Sequence, residues 1–309
     1  MNRRLLHKYQ NGNYTVRLYN DGTKIRENNL DFFSPNFAES IDCTITTKCD
    51  GKCQYCYLCC NENGIHADLN QPIFDTVHAG TEMAINGNDL SHPDLENFLI
   101  RMKDKGVIVN ITINQRHIHQ HLDTLKDWQD RQLVWGIGVS LVNSKDKTLY
   151  EDIKRLKNVV IHVIDGLFTK DDLENMKNKD IKLLILGFKH VGKGIEYYNA
   201  HKEEIDSNIE FLRYHLYDYK QYYNGFGFDS LANEDLHIRE LVGEEKWALY
   251  HMGEEGEFTF FVDAVNKKFA ISSMELANDQ YDFLDNLDDM FKFVRKKQAE
   301  KGAFILQGE

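Results

Sequence analysis

The chain has 309 residues, of which 42% are hydrophobic, and its formal net charge is −12. This length is enough for a sizeable hydrophobic core. Because no apolar run approaches the ~20 residues that span a bilayer, we expect no membrane association. The excess of acidic side chains repels phosphate groups, so we do not expect a long nucleic acid as a partner.

The middle of the chain alternates short β-branched apolar runs with longer amphipathic segments. Apolar side chains at helical spacing, such as Leu95, Phe98 and Met102, predict helices. The predicted elements are strand 41–46, helix 72–81, strand 82–86, helix 92–105, strand 107–114, helix 119–131, strand 133–142, helix 147–156, strand 159–164, helix 169–178, strand 181–186 and helix 194–208. Six consecutive strand–helix units predict an α/β fold with parallel strands joined by right-handed crossovers.

Additions to this core are predicted at both ends. Turn residues separate two short strands in each addition, at 20–22 and at 266–267, which predicts two β-hairpins. A helix over about 281–299 follows the second hairpin. We therefore expect an N-terminal hairpin extension (1–40), a core (41–210) and a C-terminal hairpin and helix (211–309). The residues alone do not distinguish a flat doubly wound sheet from a part-open barrel.

Three cysteines follow the first core strand directly. Cys49, Cys53 and Cys56 have the spacing C-x3-C-x2-C, and Tyr55 precedes the third. Cysteine thiolates, normally four of them, hold iron–sulfur clusters. Three thiolates in one loop would therefore hold three irons of a 4Fe–4S cluster and leave the fourth open to a substrate or cofactor.

A zinc site is the alternative for the same loop. Zinc prefers four N or S ligands, and Cys59, Cys60 or His66 could supply the fourth. Disulfides are not expected, because all six cysteines lie between residues 43 and 60 and are not spread through the chain as cross-links. Reduced thiols and the lack of a signal segment predict a cytoplasmic location.

The cysteine spacing and Tyr55 resemble the signature of the radical S-adenosylmethionine enzymes. The resemblance implies a partial (β/α)6 TIM-like barrel with N-terminal and C-terminal hairpin and helix additions. It also implies a 4Fe–4S cluster on Cys49, Cys53 and Cys56, with S-adenosylmethionine bound to the open iron. An external one-electron donor such as flavodoxin or ferredoxin would reduce the cluster. The 5′-deoxyadenosyl radical released from S-adenosylmethionine would then take hydrogen from a small-molecule, nucleotide or peptide substrate.

The resemblance also implies residues that contact S-adenosylmethionine. Asn86-Gly87-Asn88 stands after the second core strand, where the family holds the amino group of this cofactor, although the family's usual Gly-Gly-Glu-Pro is only partly kept. We expect Gly87 to let the ligand approach the backbone closely. The further candidates are Tyr55 beside the adenine, Asn114 after the third strand, Ser140 in the fourth and His162 in the fifth.

Other residues have alternative roles. Cys59 or Cys60 is a candidate hydrogen donor to a product radical, or else a small packed residue. Lys189 and His190 follow the sixth strand and are candidates for facing the substrate. The rival function is a non-catalytic zinc- or iron–sulfur-binding module that acts through a partner.

Overall fold

The computed structural model describes residues 3–275 and 279–306. The strands are β1 Leu5–Asn11, β2 Tyr14–Tyr19, β3 Lys24–Glu27, β4 Ser40–Thr44, β5 Glu82–Asn88, β6 Ile108–Asn114, β7 Gly136–Ser140, β8 Val159–Ile164, β9 Lys182–Leu186, β10 Gly225–Phe228, β11 Thr259–Asp263, β12 Lys268–Ala270 and β13 Tyr281–Asp282. The helices are α1 Leu95–Asp104, α2 Gln115–Asp130, α3 Lys147–Ile153, α4 Lys170–Met176, α5 Gly194–Tyr219, α6 Ser230–Asp235, α7 Ile238–Val242, α8 Glu244–Tyr250 and α9 Leu287–Leu306.

One large sheet organises the molecule. Its strand order is β10-β9-β8-β7-β6-β5-β4-β11-β12-β13, and all pairs from β10 to β11 are parallel. The six core strands β4 to β9 thus lie side by side in chain order, as the six predicted strand–helix units require. Strands β12 and β13 are antiparallel additions at one edge. Within the described residues β10 and β13 are the two edges, so the sheet does not close into a barrel.

The two faces of this sheet differ in burial. Alternate residues of the core strands, such as Ile85, Ile111 and Ile185, are almost fully buried. The residues between them are mostly half-exposed, and Asp42 and Ala84 are exposed although their strands are central in the sheet. Parallel sheets are usually covered on both faces. Here helices cover one face, while the other lines a solvent-accessible hollow.

Several predicted elements differ from the structure in extent. The helix predicted at 72–81 is only a 3-10 turn, Pro72–Thr76, and the chain then turns at Gly80, whose φ is +89°. The helix predicted at 194–208 continues as α5 to Tyr219, past an irregular residue at His201. The last helix begins at Leu287 and not near 281, because Tyr281–Asp282 pairs with β12. A capping box between Thr169 and Asp172 starts α4.

Both predicted hairpins form, and each belongs to a larger sheet than expected. Strand β1, which we did not predict, pairs with β2 to make a three-stranded antiparallel sheet. Strand β11 pairs with β12 as predicted and also extends the large sheet, in parallel with β4. No helix in the described parts of the chain combines the length and apolar character needed to cross a bilayer.

Candidate functional site

The cysteine loop begins where β4 ends and folds back on itself. The backbone N–H of Cys49 donates to the carbonyl of Asn61 at 2.9 Å, and the N–H of Asn61 donates to the carbonyl of Thr47 at 3.1 Å. Isolated bridges join Thr46 to His66 and Lys48 to Asn61. The loop therefore has its own backbone framework at the carboxyl edge of the sheet, where function concentrates in parallel α/β folds.

The three thiols of the motif are half-buried in this loop. The N–H of Gly51 donates to Sγ of Cys49 at 3.3 Å, and the N–H of Cys60 donates to Sγ of Cys56 at 3.4 Å. A Cβ at Gly51 would lie 3.2 Å from Sγ of Cys49 and 3.7 Å from Sγ of Cys53. The absence of a side chain at Gly51 therefore keeps open the space between two of the thiols.

The pKa values of the three thiols are shifted in different directions. Burial raises the pKa of Cys49 and of Cys53. A hydrogen bond from the Cys60 thiol lowers the pKa of Cys56 to about 6, helped by nearby backbone N–H groups. Burial, together with the neighbouring Cys53, raises the pKa of the Tyr55 hydroxyl to about 12. Cys56 is therefore the most anionic of the three sulfurs, because its surroundings donate to it.

Asn86 and Asn88 of β5 fasten the loop from the side of the sheet. Nδ2 of Asn86 donates to the carbonyl of Thr46 at 2.7 Å, and its Oδ1 accepts from the N–H of Ile45 at 2.7 Å. Nδ2 of Asn88 donates to the carbonyl of Lys48 at 3.0 Å. Both amides are thus already used to position the loop, and their expected contact with S-adenosylmethionine stays a prediction.

Gly87 lies between them but does not face an open space. A Cβ on Gly87 would meet Cγ1 of Ile111 at 2.8 Å and Cδ2 of Leu90 at 2.9 Å, and the carbonyl of Gly87 accepts from the N–H of Leu90 at 2.7 Å. The space beside Gly87 is therefore occupied by the hydrophobic core. Glycine is needed there for packing, and the expected close approach of a ligand to its backbone stays a prediction.

Helix α2 fastens the loop from the other side. Nη1 of Arg116 donates to the carbonyl of Gly51 at 2.6 Å. Nε2 of His117 is 2.8 Å from Oδ1 of Asp50 and donates to it. The side chain of Asn114 caps this helix by accepting from the N–H of Arg116 at 3.0 Å. The first turn of α2 therefore supports the loop segment that carries Cys49 and Cys53.

Three of the predicted cofactor residues lie side by side across the sheet. Asn114 of β6 is the register partner of Ser140 in β7, and Ser140 is the partner of His162 in β8. His162 lies against Gly138, whose Cβ would fall 2.2 Å from Cε1 of the imidazole. Burial lowers the pKa of His162 to about 4. The structure thus brings these residues together on the accessible face, while their contact with a cofactor stays a prediction.

The remaining predicted residues separate into exposed and packed ones. Cys59 is exposed, whereas Cys60 is only 6% exposed and lies behind Cys56. Cys60 is among the residues that line the cleft beside α5, and the hydrogen-donor role of Cys59 or Cys60 stays a prediction. The ring of Tyr55 packs edge to face against Tyr197 of α5, with centroids 5.6 Å apart. A cleft of about 580 Å³ separates α5 from the cysteine loop, and Cys53, Lys193 and Tyr197 are among its lining residues.

Lys189, Asp42 and Glu255 form a charged group on the accessible face of the sheet, and the sequence analysis indicated only Lys189. Lys189 follows β9, donates to Oγ of Ser273 at 2.6 Å and lies 4.2 Å from the ring centroid of Tyr57. The carboxylates of Asp42 and Glu255 are close enough to Lys189 to interact with it electrostatically. Desolvation by the protein that surrounds the hollow raises the pKa of both carboxylates, although the Asp42 side chain is accessible to solvent there. Asp42 was missed, although a charged residue inside a central apolar strand is a signal that the strand faces a polar space. His190 is exposed and packs on Tyr198.

Comparisons with known proteins found similar folds among solved structures. No family model matches the chain, and no curated protein matches it. The crystal structure of Streptococcus suis SuiB bound to S-adenosylmethionine matches with a TM-score of 0.52 and 15% identity, over 83% of this chain and 64% of SuiB. Native anSMEcpe with bound AdoMet and Cp18Cys peptide matches with a TM-score of 0.46 and 12% identity, over 83% of this chain and 80% of that one.

This chain spans 64% of the length of SuiB, and the match to SuiB shows similarity of fold. In this chain the cysteine loop follows strand β4 of the parallel sheet. The match therefore supports, at the level of the fold alone, the resemblance that Cys49, Cys53, Cys56 and Tyr55 indicate: the chain has an α/β fold similar to that of SuiB.

Proposed function

We propose that the protein is a radical S-adenosylmethionine enzyme that holds one 4Fe–4S cluster on Cys49, Cys53 and Cys56. One observation carries the proposal. The three thiols lie together in a self-supported loop at the carboxyl edge of a parallel sheet, and backbone N–H groups donate to two of the sulfurs. The SuiB fold match supports it, since SuiB is bound to S-adenosylmethionine in its structure.

The residues fit a cluster better than a single zinc ion. In residues 3–275 and 279–306, no three His, Cys, Asp or Glu side chains are arranged around one point that a metal ion could occupy. Zinc needs its ligands to converge to within about 2.3 Å of one centre. A 4Fe–4S cluster presents a different iron to each thiolate, so its ligands need not converge. The open space beside Gly51 and the N–H donors to sulfur suit the larger, anionic group.

The cofactors would supply the difficult chemistry, and the protein would position them. When bound and reduced by one electron, they supply a carbon-centred radical that can take a hydrogen atom from a C–H bond. Asn86 and Asn88 hold the loop against the sheet, and Arg116 holds it against α2. His162, whose low pKa keeps it neutral at pH 7, would place no positive charge near the sulfonium of a bound S-adenosylmethionine.

The finer expectations stay part of the proposal. We expect the accessible face of the sheet to be the interior of a partial (β/α)6 barrel, with residues 211–309 forming the C-terminal addition. We expect S-adenosylmethionine to contact Asn114, Ser140 and His162 on that face. A flavodoxin or ferredoxin would be the electron donor, in the cytoplasm, and the substrate would be a small molecule, nucleotide or peptide.

The test is anaerobic reconstitution of the wild type and of four single variants. Cys49→Ala, Cys53→Ala and Cys56→Ala should each lose iron and sulfide, whereas the control Cys59→Ala, at an exposed thiol, should keep the full content. Wild-type protein with dithionite and S-adenosylmethionine should give 5′-deoxyadenosine and methionine. A full cluster in Cys53→Ala would overturn the ligand assignment. A colourless, zinc-containing wild type would favour the binding-module alternative.

A further inference from the structure

Asp42 is a charged side chain on the accessible face of the sheet that has no hydrogen-bond partner. It lies in the middle of β4, and its register partners are Ala84 of β5 and Phe261 of β11. Within residues 3–275 and 279–306, no hydrogen bond and no ion pair involves its carboxylate. A carboxylate inside a hollow of the protein is costly while it stays unpaired, so it gains from a cationic partner.

Lys189 acts on Asp42 electrostatically, but its ammonium group is engaged elsewhere. Nζ of Lys189 donates to Oγ of Ser273 at 2.6 Å and lies 4.2 Å from the ring centroid of Tyr57. Asp229 acts on the same ammonium, as do Asp42 and Glu255. Within the part of the chain that the structure describes, one ammonium thus faces three carboxylates. Their ionised forms leave the hollow negatively charged, which favours a further cation.

The contact between Lys189 and Ser273 also shows how the hollow is enclosed. Lys189 follows β9 and Ser273 follows β12, and six strands lie between β9 and β12 in the sheet order. A flat sheet would hold these two strands ~34 Å apart, at about 4.8 Å per strand, yet the two side chains are hydrogen-bonded. The sheet therefore curves until its two ends approach each other, and Asp42 lies on the concave face.

There is space for a ligand on both sides of Asp42. Ala84 is small and exposed although its strand is central in the sheet, so no large side chain covers the carboxylate from β5. On the side of β11, a cavity of about 180 Å³ has Tyr57, Phe261 and Ser273 among its lining residues. An unpaired carboxylate next to aromatic walls suits a cationic group that is attached to an apolar carbon skeleton.

This space lies away from the residues expected to contact S-adenosylmethionine. Asp42, Ala84 and Asn110 are register partners in three neighbouring strands. Asn114, the expected cofactor residue of β6, lies four residues further along the same strand as Asn110, which is ~13 Å at about 3.3 Å per residue. A cation bound to Asp42 would therefore be a group other than the sulfonium or ammonium of the cofactor.

We propose that Asp42 binds a primary ammonium group of the substrate, and that the substrate carries this group on an apolar carbon skeleton. The ammonium would donate to the carboxylate of Asp42, and the skeleton would pack in the cavity beside Tyr57 and Phe261. The inference rests on the proposed function in calling this ligand a substrate. The binding itself needs no cluster, so it can be tested separately.

The experiment uses benzylamine as the probe and benzyl alcohol as its neutral analogue. Each is titrated into the protein before and after anaerobic reconstitution, and binding is followed by ligand-observed NMR. Wild-type protein should bind benzylamine about tenfold more tightly than benzyl alcohol, as a hydrogen bond to a charged group implies. Asp42→Asn should lose most of this preference. The control Asp75→Asn, at an exposed carboxylate of the turn Pro72–Thr76, should bind as the wild type does.

A second variant changes the space and keeps the charge. Ala84→Leu retains the carboxylate of Asp42 but places a large side chain beside it, so both probes should bind more weakly. Urea unfolding checks that each variant is folded. If Asp42→Asn does not fold, Ala84→Leu decides the matter, and unchanged benzylamine binding in that variant overturns the inference.

The remaining outcomes separate the inference from the proposed function. No binding of benzylamine, equal binding of the two probes, or an undiminished preference in Asp42→Asn overturns the inference and leaves the proposed function intact. Displacement of benzylamine by S-adenosylmethionine in the reconstituted protein also overturns it, because Asp42 would then belong to the cofactor site. Binding of benzylamine through Asp42 in a protein that takes up no cluster supports the ammonium site and overturns the proposed function.

Discussion

The side-chain amide of Asn86 donates a hydrogen bond to the carbonyl oxygen of Thr46 at 2.7 Å. The same side chain accepts from the N–H of Ile45, also at 2.7 Å. These two bonds lie where β4 has ended at Thr44 and its ladder to β5 stops. Asn86 thereby continues the pairing with a side chain and fixes the direction in which the chain enters the cysteine loop.

We therefore expect Asn86→Ala to destabilise the protein and to reduce cluster uptake. The substitution leaves the N–H of Ile45 and the carbonyl of Thr46 without this partner, and an unsatisfied buried group costs about 1–3 kcal/mol. The measurements are the free energy of unfolding in urea and the iron content after reconstitution. Asn63→Ala, in an exposed part of the same loop, is the matched control and should change neither. Equal values for the two variants would show that Asn86 does not support the loop.

The sequence was most informative where its signals are local. The order and number of the core strands follow from apolar periodicity, and the proposed cluster ligands Cys49, Cys53 and Cys56 are suggested by their spacing. The anchoring roles of Asn86 and Asn88 could not be predicted, because their partners at residues 45–48 are about 40 positions away in the chain. The parallel pairing of β11 with β4 joins segments more than 200 residues apart, and no local pattern specifies such a contact.

Gly87→Ala should destabilise the core, with cofactor binding affected only through loss of folded protein. Its Cβ would lie 2.8 Å from Cγ1 of Ile111, and overpacking of this kind costs about 1–3 kcal/mol. The additional substitution Ile111→Ala removes that atom, so the double variant should be more stable than the sum of the two single effects predicts. Gly225→Ala is the control, because no atom lies within 4 Å of its Cβ position. Full additivity of Gly87→Ala and Ile111→Ala would contradict the contact.

Asp165 should make stability fall as the pH rises. Burial and the negative charge of the neighbouring Asp235 raise its pKa to about 8. The unfolded chain loses this proton near pH 3.9. Between these values the folded state binds more protons than the unfolded state, so the contribution of Asp165 to stability is lost as the pH rises towards 8.

The variant Asp165→Asn tests this contribution. The Asn side chain keeps an oxygen for the N–H groups of Gly166 and Phe188 and carries no charge. It should be more stable than the wild type at pH 8, and its stability should depend less on pH between 4 and 8. The control is Asp171→Asn, at an exposed position of α4. If the free energy of unfolding in urea depends on pH in the same way for Asp165→Asn and Asp171→Asn, Asp165 does not have a raised pKa in the folded protein.

His162 should remain neutral well below physiological pH. Its imidazole occupies the space left by Gly138 on the accessible face of the sheet, and burial lowers its pKa to about 4. The unfolded chain takes up the proton near pH 6.5. The stability that His162 contributes is therefore present above pH 6.5 and is lost as the pH falls from 6.5 to 4. In NMR titrations of the folded protein its Cε1–H resonance should have a midpoint near pH 4, and His162→Gln should flatten the pH dependence of stability in that interval.

A midpoint near 6.5 would show instead that the ring is solvated in the hollow. The neutral ring proposed beside a sulfonium would then be a cation at pH 6, and the binding of S-adenosylmethionine should weaken with acidification through that midpoint.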